Sequence, residues 1–201
     1  TKEVKEMNPY TFTYSPFEAD ESQMQKQSET VDETLNKYDI QTEKASVELN
    51  YFEVDNSERP QVLIAKESDY NRFAGLLGEE KVDVGDQGAI VVADSSKVMI
   101  GASKKERLMD VPIEMEDGGS IHPDRLISTV VLPEMYAYYI VDDNTFESLP
   151  KPVESKTYIT WQATQGSQES IIEAGRILQN KFQPGVFQAI DYTIYTINKG
   201  Y

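Results

Sequence analysis

No cysteine occurs in the 201 residues. That excludes disulfides, thiolate metal sites and cysteine nucleophiles. It fits the cytosol and, equally, bacterial surface domains that do without disulfides. Histidine is nearly as scarce, with His122 alone in Ser120-Ile121-His122-Pro123-Asp124. A Ser-His-Asp arrangement would have to use it, and no G-x-S-x-G elbow accompanies it. Pro123 places the histidine in a loop. One histidine without cysteine also argues against structural zinc. No run of eighteen apolar residues is present, so no segment reads as a membrane-spanning helix. No signal peptide opens the chain. Neither absence fixes a compartment. A phosphate loop is missing too: Gly85-Asp86-Gln87-Gly88 is too short and has the wrong neighbours. Glu79–Asp86 and Glu114-Met115-Glu116-Asp117 lack the residue order of a calcium loop and read as solvated turns. No residue is a candidate for catalysis, for cofactor binding or for a metal, and the chain does not read as an enzyme.

Positive charge is also short. Lys and Arg number 19 against 35 Asp and Glu, a formal net charge of −16. Such a field repels phosphate backbones and anionic headgroups and attracts cations, so nucleic acid is not expected as a partner. The plainest reading is that acidity keeps the domain soluble. Lys104-Lys105-Glu106-Arg107 is the one basic knot. In so acidic a chain it reads first as a turn; the other reading is contact with an anionic group such as a pyrophosphate, which makes Lys104, Lys105 and Arg107 the candidate ligand contacts.

What is present is ordinary for a globular domain: 39% hydrophobic and 27% charged residues, enough to bury a core. The most organised stretch is Tyr136–Leu149. Tyr136–Val141 is an apolar strand, Asp142 or Asp143 suits the helix cap that follows, and Phe146 and Leu149 share a face. A looser copy lies at Gln61–Gly78. There Val62–Ala65 is the strand, Ser68 or Asp69 the cap, and Phe73, Leu76 and Leu77 the buried face. Gly78 suits a left-handed helix end.

In the remaining chain, Tyr10, Phe12 and Tyr14 alternate with Thr11 and Thr13 as a strand. Asp20 caps a helix reaching Tyr38, with Met24, Val31, Leu35 and Tyr38 on one face. Ala45, Val47, Leu49 and Tyr51 alternate along a second strand, over 44–54. It pairs as a hairpin with 61–66 through the turn cluster Asp55–Pro60. Between 79 and 133 the strand candidates are short: Gly88–Ala93, Val98–Ile100, Leu108–Met115 and Leu126–Leu132. Thr157–Ala163 is a strand, and Gln168 to about Lys181 is a helix with Ile171, Ile172, Gly175, Leu178 and Phe182 inward. Val186–Ile197 is the last strand.

Residues 10–54 and 157–197 thus each read β-α-β, the outline of a split βαβ layer. The expected fold class is α+β: a mixed sheet with helices on one face, ferredoxin-like or porter-like. A small antiparallel β lobe is inserted in it. One domain covers 1–201, with a body at about 8–78 and 136–201 and the lobe at about 79–135. The opening at Thr1-Lys2-Glu3, without an initiator Met, reads as a segment of a longer protein.

This order of elements resembles the large extracellular domain of Bce-type ABC transporter permeases, of the FtsX/MacB-like superfamily. The likeness covers nearly the whole chain. It is carried by Asn8-Pro9-Tyr10-Thr11-Phe12-Thr13-Tyr14, the Gly85/Gly88 turn, and Ile140-Val141-Asp142-Asp143 with Phe146 and Leu149. The resemblance implies a domain on the extracellular face of the plasma membrane, joined at both ends to transmembrane helices. Such permeases pair with an ATPase subunit, signal to a histidine kinase and protect Firmicutes from peptide antibiotics. The implied ligand is a cationic peptide of bacitracin or lantibiotic type, with or without a lipid pyrophosphate. The family offers no catalytic residue and no cofactor to carry over. The alternative is a surface protein-interaction module of a Gram-positive bacterium without a transport role. A hydrolase is the third reading, and it would need His122 gathered with carboxylates in one concave site.

Overall fold

The computed structural model describes residues 10–16, 20–53, 61–86, 88–93, 113–114, 120–128 and 137–191. Among them are nine strands and four helices. The strands are β1 (Tyr10–Tyr14), β2 (Gln41–Glu53), β3 (Gln61–Lys66), β4 (Gly88–Val92), β5 (Ile113–Glu114), β6 (Ser120–Ile127), β7 (Tyr138–Val141), β8 (Glu154–Gln165) and β9 (Phe187–Asp191). The helices are α1 (Glu21–Lys37), α2 (Glu67–Leu77), α3 (Asp143–Glu147) and α4 (Gln168–Lys181). The class is α+β with a mixed sheet, as the alternation and helix periods require. Contacts group the chain into two units, 1–46 with 156–201 and 47–155. The boundary falls within β2 and close to the start of β8.

In the first unit the strand order is β2-β8-β1-β9. β1 lies antiparallel to β8, with Phe12 opposite Trp161, and antiparallel to β9, with Phe12 opposite Ala189. Because β8 separates β1 from β2, this is the split βαβ arrangement. Alternate residues Phe12, Tyr14, Ile159, Trp161 and Ala163 share one core with Val31 and Leu35 of α1 and Ile171, Ala174 and Leu178 of α4. Both helices therefore cover one sheet face. Burying each large apolar side chain in such a core is worth about 1.5–3 kcal/mol. The other parity, Thr11, Thr13 and Thr160, is also buried, with the Thr13 and Thr160 hydroxyls 3.2 Å apart. Asp20 caps α1 through a reciprocal box with Gln23. Ser167 caps α4. Ile172, expected inside, is 53% exposed. The buried positions Ile171, Ala174, Gly175 and Leu178 form a stripe too narrow to include it.

In the second unit the order is β5-β6-β4-β7-β3-β2. β2 and β3 form the expected hairpin, with Asn50 opposite Ile64. The strand–cap–helix repeats lie side by side, because β3 and β7 pair in parallel with Ile64 opposite Tyr139. Both helices consequently start at the same end of their strands. Val62, Ile64, Ala89, Val91, Tyr139 and Val141 form one core face, joined by Phe146 and, at its margin, Leu149. Gly78 ends α2 in the left-handed region, φ 68°. Within 88–127 the pairing is mixed, where antiparallel was expected. β4 runs parallel to β6 and antiparallel to β7, and β5 is antiparallel to β6. The expected strand Val98–Ile100 lies outside the described residues, as do most of Leu108–Met115 and the end of Leu126–Leu132. Among the described residues no helix is long and apolar enough to cross a membrane.

Candidate functional site

The basic knot Lys104, Lys105 and Arg107 lies outside the described residues. His122 is described, and it is not in a loop. It sits on β6, exposed, opposite Gly88 of β4. Pro123 is tolerated there because the β4–β6 register shifts beside it, between Ala89 and Ile90. The Ser120 hydroxyl lies 3.1 Å from His122 Nε2. Asp124 leans over Gly88, where an added Cβ would fall 2.0 Å from its Oδ2. Alternation thus aligns Ser120, His122 and Asp124 along one strand, exposed to solvent. Among the described residues no carboxylate takes the other ring nitrogen. Nor do the described residues gather three or more histidine, aspartate or glutamate side chains suited to a metal ion.

The densest polar construction stands at the ends of β3 and β7, where α2 and α3 begin. Asp142 caps α3, accepting from the Thr145 amide at 2.9 Å and from its hydroxyl at 2.6 Å. Asp143 reaches across to α2 and accepts from the Ser68 amide at 3.0 Å. The expected cap of α2, Ser68 or Asp69, is therefore corrected: Lys66 holds the N-cap position without a side-chain bond, and the carboxylate comes from the neighbouring repeat. Asp69 is buried and serves β2 instead, accepting from the Glu48 amide at 3.2 Å and pairing with Arg72 at 3.3 Å.

The connection after α2 is tied down along the helix. The Asn71 amide bonds Val82 in both directions, donating to its carbonyl at 2.9 Å and accepting from its N–H at 2.8 Å. One helical turn earlier, Glu67 accepts from the Val84 amide at 3.3 Å. Asp83 takes the Gly85 amide, and Arg125 donates to the Asp83 carbonyl at 3.0 Å. Burial raises the Glu67 carboxyl above its ordinary value. The Val84 N–H opposes that, and the charges of Asp83, Asp143 and Asp142 add to it. Burial likewise raises Asp69, against the Glu48 amide, Lys66 and Arg72. Each of these five carboxylates thus accepts a backbone N–H. The chemistry is that of holding segments together, and the sequence signal for it was only a surplus of acids near two helix starts.

In the first unit a second polar group packs on Trp161. The indole Nε1–H donates to Asp32 at 2.8 Å, and Lys44 lies over the ring, 5.2 Å from its centre. Lys44 also reaches Ser28 at 2.6 Å and Asp32 at 3.3 Å. The group pins α1 to β2 and β8 from the solvent side. Tyr14, whose hydroxyl donates to Gln27, is raised above its ordinary pKa by burial.

No protein-family model matches the chain, and no curated protein does. Solved structures do. One is a Bacillus anthracis chain described as a lipoprotein, with 12% identity and TM-score 0.47, covering 91% of this chain and 96% of that one. Another is the periplasmic region of MacB from Actinobacillus actinomycetemcomitans, with 15% identity and TM-score 0.34, covering 96% and 94%.

Proposed function

We propose that this chain is the extracellular recognition domain of an ABC transporter permease of the Bce type. It receives cationic peptide antibiotics, bare or in complex with a lipid pyrophosphate. In the whole protein it works with an ATPase subunit and a histidine kinase. The domain itself catalyses nothing. The residue pattern Ile140-Val141-Asp142-Asp143 with Phe146 and Leu149 is the sequence ground for this reading. The observation that carries it is the pairing of β1 with β9. Tyr10, where β1 starts, is opposite Asp191, where β9 ends. The first and last of the described residues thus lie side by side on paired strands, an arrangement that suits a domain carried between two membrane helices. A net charge of −16 suits a cationic ligand.

These 201 residues hold no cysteine, so one introduced here reports location directly once any cysteine elsewhere in the full-length protein is replaced. Val153 and Ile172 are 58% and 53% exposed. Val153→Cys or Ile172→Cys in the full-length protein should react with a membrane-impermeant maleimide on intact cells. Reaction only after lysis would contradict the reading.

A further inference from the structure

We draw no further inference here: the strongest candidate, the carboxylate junction where the N-termini of α2 and α3 meet the 79–86 connection, carries nothing because each of its five carboxylates is already engaged by a backbone N–H and nothing beside it points to a ligand.

Discussion

Asp69 shows how one residue can look like a local cap and act at long range. It stands in the first turn of α2, where a carboxylate is favoured. Its oxygen nevertheless goes to the Glu48 amide on β2, and the residue is only 6% exposed. Asp69→Ala should strand that amide and cost about 1–3 kcal/mol. Asp69→Asn keeps an oxygen acceptor and should cost less. Wild type and Asp69→Asn also differ in their response to acid. Burial raises the folded pKa of Asp69 above the ordinary 3.8. The folded state then binds the proton more tightly than the unfolded chain does. Its contribution is fully present below 3.8 and is lost as pH rises through the raised value. As pH falls through that window, the wild type should gain stability relative to Asp69→Asn in urea unfolding. A constant difference, or one of opposite sign, would refute this account of Asp69.

At the scale of the element, α2 is held by both its end and its flank. Gly78 sits at φ 68° with nothing within 4 Å of an added Cβ, so substitution there tests backbone conformation alone. Gly78→Ala should cost about 1 kcal/mol, and Gly78→Asn less. Equal stability of all three proteins would show that the left-handed end is dispensable. On the flank, Asn71→Ala removes both bonds to Val82 and should cost about 1–3 kcal/mol. Hydrogen exchange should speed up at Val82 and Val84 before it does at Ile90 in β4. Uniform acceleration across these amides would mean that the connection is not held by Asn71.

The elements also mark what local pattern can and cannot say. α1, α4 and the β2–β3 hairpin were legible because their partners lie within the period of the element itself: a cap, a stripe, a turn. The strand and helix of each strand–cap–helix repeat, and the Asp142 cap of α3, were legible for the same reason. That Asp143 caps α2 was not, since the bond spans 75 residues and depends on β3 and β7 pairing in parallel. His122 was misplaced because Pro123 speaks for a loop in isolation, and only the shifted β4–β6 register makes room for it in a strand. Ile172 failed by a single residue of helical angle, which a stripe read from five apolar residues cannot resolve. The candidate site was the least legible part: its residues are common acids, and their use is set by which amides the fold brings near.

At the scale of the whole molecule, charge and connectivity carry the functional reading. Asp and Glu exceed Lys and Arg, 35 to 19, and attraction of a cationic peptide follows from that alone. Capture by shape and hydrogen bonding does not. Salt separates the two, because exposed charges more than about 8–10 Å apart are largely screened near physiological ionic strength. The most direct measurement is a calorimetric titration of this chain with a cationic peptide antibiotic, with and without lipid pyrophosphate, at low and high salt. The proposed recognition role predicts saturable binding that persists at high salt. Binding lost with salt, or absent at both concentrations, would contradict it.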